Sequence, residues 1–193
     1  LAHIFLSGLD KRMQLGNFFA DAVKGNSYKD YPQAIANGIL FHRAIDLFTD
    51  THPLIREAVH SLRPYFGRYS GILLDIYFDY LLASRFDRYS DVSLKKYARG
   101  FYFTIIQNYK YLPDRFKRFI WHFILTDRLG KYATIDGIKD SLQIMVRAQR
   151  INISVSVAIE YLKEHEEELF VLFQSFFAEL IAYNEEYKRQ LYQ

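Results

Sequence analysis

Apolar side chains recur at steps of three and four residues along most of the chain. In the segment 35–48, Ile35, Ile39 and Ile45 follow this spacing, and the segments 141–150 and 168–187 repeat it. The spacing is that of an amphipathic helix, whereas the strict alternation typical of a strand is hard to find in any window of six residues. The pattern therefore predicts an all-α protein.

Helix-breaking residues divide this pattern into about eight helices with short connections. The breaks fall at Gly25-Asn26, Thr51-His52-Pro53, Pro64, Ser90-Asp91, Leu112-Pro113, Gly130 and Ser154. Pro53 suits the first turn of a helix, and Asp114 is expected to open a helix that carries residues 115–127. Because no linker or repeat separates two halves, we expect a single-domain helical bundle over residues 1–193.

Composition excludes several classes of chemistry. The chain has 193 residues, half of them hydrophobic, and no cysteine, which excludes thiolate catalysis, zinc–thiolate sites and disulfides and favours a cytoplasmic location. The longest apolar stretch, 71–83, is interrupted by Asp75 and Asp79 and is shorter than the ~20 residues of a membrane span. The formal charge of +3 is too small to indicate nucleic acid. We therefore expect neither a membrane span nor nucleic acid as a partner, and the oligomeric state stays open.

Basic residues are concentrated in the segment 95–118. Asp114 is its one acidic residue, and its basic residues are Lys95, Lys96, Arg99, Lys110, Arg115, Lys117 and Arg118. Such a run is either a solvated helix face or a docking surface for an acidic partner.

A polar stripe runs along one of the predicted helices. His42, Asp46 and Asp50 are four residues apart in an otherwise apolar segment, so the three side chains share one helix face. Burying a carboxylate without a partner costs several kcal/mol, so the stripe requires a cation, either an arginine or a metal ion. Asp50 as a helix cap and Arg43 as the neutralising partner of Asp46 remain alternative interpretations.

Two further segments add carboxylates. Asp75 and Asp79 lie four residues apart in an apolar helix, and Asp21 ends an apolar run. Two neighbouring carboxylates repel each other unless a cation lies between them or one stays protonated. Because one imidazole and several oxygen donors suit the harder cations, the hypothesis is a Mn²⁺, Mg²⁺ or Fe²⁺ site.

Four motifs carry a resemblance to a known family. They are LAH (1–3), LGNFFAD (15–21), GILFHRAIDLFTDTHP (38–53) and ILLDIYFDYLLA (72–83). In order and spacing they resemble the acyl carrier protein phosphodiesterases, divergent members of the HD-type all-helical metal phosphohydrolases. The resemblance implies an HD-like fold and a Mn²⁺-dependent enzyme. It further implies hydrolysis of the phosphodiester that joins 4′-phosphopantetheine to a serine of acyl carrier protein, an acidic partner.

The resemblance also implies roles for individual residues. The implied metal ligands are His3, Asp21, His42, Asp46 and Asp79, and the implied catalytic residues are Arg43, Asp50 and Asp75. In this hypothesis Arg43 binds a phosphate oxygen, and Asp50 or Asp75 orients the attacking water or a ligating imidazole. The family usually has histidine after the second aspartate of the fourth motif, where this chain has Tyr80.

Two other functions fit the same residues. A metal-dependent phosphohydrolase that acts on a nucleotide or another small phosphate ester would use the same ligands. A non-catalytic helical module would use the basic segment to bind an acidic protein, with the polar stripes as structural ion pairs.

Overall fold

Twelve α-helices and five 3₁₀ turns form the part of the chain that the computed structural model describes, residues 1–149 and 151–191. The helices are α1 Ala2–Leu6, α2 Lys11–Phe19, α3 Gln33–Thr51, α4 Pro53–Phe66, α5 Ser70–Ser84, α6 Leu94–Gln107, α7 Asp114–Lys117, α8 Ile120–Leu125, α9 Arg128–Lys131, α10 Ile135–Gln149, α11 Val155–Glu164 and α12 Glu166–Leu191. Eight of them have nine residues or more, and no strand occurs among the described residues. The predicted all-α class is confirmed.

The two helices that carry most of the polar motif residues, α2 and α3, cross backbone against backbone. Gly16 of α2 faces the carbonyl of Ile35, and Gly38 of α3 faces the carbonyl of Met13, each so closely that a Cβ at either glycine would overlap the opposite main chain. Glycine is required at both positions because no larger residue permits this approach. The crossing brings the C-terminal half of α2 alongside the middle of α3.

Aromatic side chains fill much of the interior. The buried hydrophobic residues form one connected cluster from Leu1 to Leu180, and its largest fully buried members include Tyr77, Phe41 and Phe173. Burial of such a side chain stabilises the fold by about 1.5–3 kcal/mol. The long helix α12 packs on both α3 and α5 and so closes the core on the side away from α2.

The predicted helix ends are partly wrong. Helix α4 continues past Pro64 and ends at Gly67, whose φ is 55°, because a proline in the last turn removes one hydrogen bond while only two residues follow it. The single helix predicted over 115–127 is instead two short helices, α7 and α8, separated near Phe119. Asp127 then takes a left-handed conformation with φ of 48° before α9 begins.

No helix among the described residues has the length and apolar character that crossing a membrane requires.

Candidate metal centre

Three segments bring the polar motif residues together at one end of the α2–α3 pair. His3 comes from α1, Asn17 from α2, Asp21 from the 3₁₀ turn that follows α2, and His42 and Asp46 from α3. The i, i+4 spacing on α3 places His42 and Asp46 on one face, where His42 Nε2 lies 3.1 Å from Asp46 Oδ2. We call these five residues the cluster.

The Nε2 atoms of both imidazoles face carboxylates. His3 Nε2 lies 3.4 Å from Asp46 Oδ1, and His42 Nε2 lies 3.3 Å from Asp21 Oδ1. The two rings are adjacent, with centroids 4.3 Å apart. Two imidazole nitrogens and the oxygens of two carboxylates thus point into the same small volume.

The buried amide of Asn17 determines which ring nitrogens carry protons. Its Oδ1 lies 2.9 Å from His42 Nδ1 and 3.1 Å from His3 Nδ1, and its Nδ2 donates to the carbonyl of His3 at 2.7 Å and to Ser7 Oγ at 2.9 Å. Because a carbonyl only accepts, these bonds fix the orientation of the amide, and Oδ1 must accept from both Nδ1 atoms. Both Nε2 atoms are left to face the cluster interior, as in histidine metal ligands.

The pKa values of the cluster residues show that its carboxylates stabilise a positive charge beside them. Burial lowers the pKa of His42, but hydrogen bonds to Asp21 and Asp46 and the charges of these carboxylates outweigh burial and raise the pKa to about 9. Burial and the neighbouring His42 lower the pKa of His3 to about 4. The hydrogen bond from His42 lowers the pKa of Asp21. Without metal, the His42 imidazole is therefore positively charged at neutral pH, with a proton on each ring nitrogen, whereas His3 is neutral.

The donor set fits a divalent cation. His3, His42 and Asp46 each offer one ligand atom, and these atoms lie within 4.8 Å of one another. Two neutral imidazoles and a carboxylate form a mixed N,O set of the kind that divalent transition metals bind. Asp21, with its carboxylate on His42 and its side chain largely exposed, lies at the open side of the cluster. A cavity of about 350 Å³ opens there.

Asp79 borders this cavity but makes different contacts. Its carboxylate accepts from the backbone nitrogens of Leu1 and Ala2 at 2.7 and 3.1 Å. It therefore lies against the first turn of α1, the helix that carries His3, and is not among the three residues whose ligand atoms converge.

Asp50 and Asp75 line a neighbouring groove together with His3 and Asp46. The groove wall partly removes the Asp75 carboxyl from water, and the negative charges of Asp79, Asp46 and Asp50 act on it as well. Together these effects raise the pKa of Asp75 to about 7, with the loss of water the larger of the two. One carboxyl beside the cluster thus exchanges its proton near neutrality. Asp50 itself is exposed at the end of α3.

The structure places Arg43 and Tyr80 away from the cluster interior. The Arg43 guanidinium donates to the carbonyl of Val23 at 2.9 Å and lies over the ring of Tyr28, so it holds the segment that follows Asp21. Tyr80 is buried beside Glu166, to which its hydroxyl is hydrogen-bonded. Neither residue lines the cavity at the cluster.

The sequence reasoning missed Asn17, Tyr132 and Arg128. Asn17 stands inside the LGNFFAD motif, where only Asp21 was singled out, and its position four residues before Asp21 was the available signal. Tyr132 lines the cavity at the cluster and lies beside Arg128. Nothing in the local sequence connects this pair to residues about ninety positions earlier.

The fold and the cluster together define an all-helical protein with an imidazole–carboxylate group suited to a divalent metal. The sequence profile of the family described as acyl carrier protein phosphodiesterase matches residues 1–180. The chain belongs to the acyl carrier protein phosphodiesterase family.

Similar proteins match along most of their length. The chain is 31% identical over 178 residues to the acyl carrier protein phosphodiesterase of Yersinia pestis, covering 92% of each chain. It is 32% identical over 184 residues to that of Photorhabdus laumondii, covering 92% of this chain and 90% of the relative. With that of Escherichia coli O6:K15:H31, identity is 35% over 152 residues, covering 75% and 76%. No solved structure gave a significant match.

Proposed function

We propose that this chain is a metal-dependent phosphodiesterase that hydrolyses holo-acyl carrier protein to apo-acyl carrier protein and 4′-phosphopantetheine. One observation carries the proposal. The Nε2 atoms of His3 and His42 and the carboxylate of Asp46 converge beside a cavity in a chain whose relatives bear the name acyl carrier protein phosphodiesterase. A cytoplasmic location stays a prediction from composition.

The cluster residues would hold the metal ion. His3, His42 and Asp46 would supply the ligand atoms, and Asp21 would close the open side. Asn17 accepts from both Nδ1 atoms, so Nε2 is the ligand nitrogen of each ring, and the ion would replace the proton that His42 carries there in the metal-free protein. Mn²⁺ is our choice because the mixed set of nitrogen and oxygen donors suits it, and Fe²⁺ fits the same set. Mg²⁺, which prefers oxygen ligands, is the weaker alternative. When bound, such an ion lowers the pKa of water and offsets the charge of a phosphodiester.

Hydrolysis also requires a proton for the leaving serine oxygen. Water adds its hydroxyl to phosphorus, the bond between phosphorus and the serine oxygen breaks, and that oxygen takes up a proton. Asp75 is the candidate donor, since in the metal-free protein its surroundings raise its pKa to about 7, toward the range that a general acid needs at neutral pH. It lines the same groove as His3 and Asp46. The role implied for Arg43 in binding phosphate stays a prediction, since its guanidinium lies on the carbonyl of Val23.

We further propose that the acidic carrier docks on the basic segment 95–118. Lys95, Lys96 and Arg99 are exposed on α6. Of the seven basic residues in the segment, Lys117 is the one that forms an ion pair within the described part of the chain. The other positive charges are therefore available to an acidic partner.

The experiment follows the mass of holo-carrier protein. The enzyme is stripped of metal with EDTA and reloaded with Mn²⁺, Mg²⁺ or Fe²⁺ in turn, and we expect the carrier to lose the mass of phosphopantetheine in the presence of Mn²⁺. His42→Gln should abolish this loss, whereas His60→Gln, an exposed histidine on α4, should not.

Two other results would contradict the proposal. Turnover of bis(p-nitrophenyl) phosphate with an unchanged holo-carrier would favour a phosphohydrolase that acts on small esters. A protein that neither retains metal nor acts on either compound would favour the non-catalytic binding module.

A further inference from the structure

A second, larger cavity of about 600 Å³ opens beside the cluster cavity. The two cavities share a wall that contains Phe18, Asp79, Phe123 and Tyr132. The second cavity therefore lies directly beside the one at the cluster. Volumes of about 300–1,000 Å³ are typical of sites for small organic ligands.

Helix α10 presents one face to the second cavity. Its lining residues are Ile138, Ser141, Ile144, Met145 and Ala148, which recur at helical spacing. The small side chains of Ser141 and Ala148 leave room between the larger ones. Opposite α10, Phe18, Ile76 and Phe119 continue an apolar lining.

Two guanidinium groups interrupt this apolar lining. Arg115 and Arg128 line the cavity, and neither forms an ion pair within residues 1–149 and 151–191. Arg128 lies beside Tyr132, whose side chain belongs to the wall shared with the cluster cavity. A guanidinium without an acidic partner offers two parallel N–H donors that fit the oxygens of a phosphate or a carboxylate, and the position of Arg128 beside the cluster favours the phosphate of a substrate held there.

The position of Arg128 is determined by a buried phenol. The Tyr102 hydroxyl accepts from the backbone N–H of Leu129 at 2.8 Å and donates to Asp127 at 3.0 Å. These bonds hold Asp127 in its left-handed conformation at the start of α9. Arg128 is thus fixed at the junction of the two cavities by contacts outside the cluster.

We propose that the second cavity is a binding site for an apolar chain attached to a phosphate group, with Arg128 on the phosphate and the chain lying along the Ser141 and Ile144 face of α10. Resting on the proposed function, we identify this ligand as the phosphopantetheine arm of the substrate, which keeps the phosphorus when the serine oxygen leaves, together with any acyl group on its thiol. The arm enters along α10 while its phosphorus stays at the cluster.

Binding measured by calorimetry tests this site without any turnover. The probes are 4′-phosphopantetheine and its S-octanoyl thioester, titrated into the purified protein. We expect the octanoyl probe to bind at least tenfold more tightly, because burial of each methylene group is favourable. Equal affinities for the two probes would overturn the proposal.

Variants locate the site. Ile144→Trp should fill part of the cavity and so remove the preference for the octanoyl probe, because the Ile144 side chain lines the cavity and is 45% exposed. Ser141→Leu is a second variant that fills the cavity. Val171→Trp is the matched control, because Val171 is 63% exposed on α12 and lines neither cavity. Arg128→Gln should lower the affinity for both probes by the same factor, about tenfold, because it removes the charged group proposed to bind their phosphate. An unchanged preference in both filling variants would contradict the assignment.

Failure of the proposed function gives a different result. A protein that binds the probes as expected but leaves holo-carrier protein intact keeps the cavity assignment and loses the proposed activity. A protein that hydrolyses the holo-carrier but shows no preference for the octanoyl probe keeps the activity and loses the cavity assignment.

Discussion

The cluster and the second cavity share a wall but are built differently. At the cluster, the Nδ1 of each imidazole is hydrogen-bonded to Asn17, and each Nε2 lies near the Asp46 carboxylate. Helices α2 and α3, which carry most of the cluster, cross at two glycines. The second cavity is walled largely by α10 and the short helices of residues 114–131, and its two guanidinium groups have no carboxylate partner in the part of the chain that the structure describes. The first arrangement is suited to a small cation, and the second leaves space for a larger flexible ligand.

The largest effect is expected from removing a carboxylate of the cluster. Asp46→Asn keeps the shape of the side chain but loses the charge that faces both imidazoles. We expect the variant to lose its metal during desalting. The rate of hydrolysis should fall by more than the ~10–100-fold that is typical when a residue that only orients a ligand is replaced. Elemental analysis and the carrier mass assay measure this. Asp136→Asn, exposed on α10, is the control, and full metal content in Asp46→Asn would exclude Asp46 as a ligand.

A smaller effect is expected at Asn17, which contacts the ligands and not the ion. Asn17→Ala leaves two Nδ1 protons without their acceptor, so metal affinity should fall by ~10–100-fold and unfolding free energy by about 1–3 kcal/mol. Metal titration and thermal denaturation measure the two changes. Asn26→Ala, in an exposed turn, should change neither. Unaltered metal affinity in Asn17→Ala would show that the tautomers are set elsewhere.

The cluster was far more predictable from sequence than the second cavity, and the reason is physical. His42 and Asp46 share a face because four residues make about one helical turn, so their 3.1 Å contact is a local consequence of the sequence. Arg128 and Tyr132 reach the same region only because α9 packs beside α6 and α10. No spacing along the chain encodes a contact that arises from packing of distant helices.

The helix ends show the same limit. The spacing of apolar residues is sufficient to predict the all-α class. The same reasoning predicts a helix end at Pro64, which instead lies in the last turn of α4. Gly67, which takes the positive φ that ends the helix, stands three residues later. A breaker residue signals an end within a turn or so, and tertiary packing decides the residue at which the helix stops.

The glycine crossing beneath the cluster gives a prediction with a matched pair. Gly16→Ala would bring a Cβ against the carbonyl of Ile35, and overpacking of this kind costs about 1–3 kcal/mol, or ~2–4 °C of Tm per kcal/mol at this chain size. Gly71→Ala on α5 has open space around the added methyl group and should gain ~0.5–1 kcal/mol from helix propensity. Equal Tm values for the two variants would mean that the crossing adjusts freely.

The pH dependence of the metal-free protein tests the charge demand of the cluster. Because the folded-state pKa of His42 is raised to about 9 from the ordinary 6.5, its contribution to stability is fully present below pH 6.5 and is lost as pH rises to 9. In EDTA, Tm should therefore fall as the pH rises from 7 to 9, and the upper part of this range lies above the pKa of Asp75, which is about 7. His42→Gln should flatten this slope, and an identical slope in the variant would assign it to another group.

The smallest effect on the chemical step is expected at Lys95, Lys96 and Arg99 of the proposed docking surface, three residues that line neither cavity. Exposed charges mainly accelerate encounter with a charged partner and are screened over ~8 Å at physiological salt. Reversal of Lys95, Lys96 and Arg99 to Glu should raise the KM for carrier protein and flatten its dependence on salt, while kcat changes little. Arg63→Glu, exposed on α4, is a control for added negative charge. An unchanged KM and salt slope in the triple variant would make this stretch a solvated face and place the carrier elsewhere.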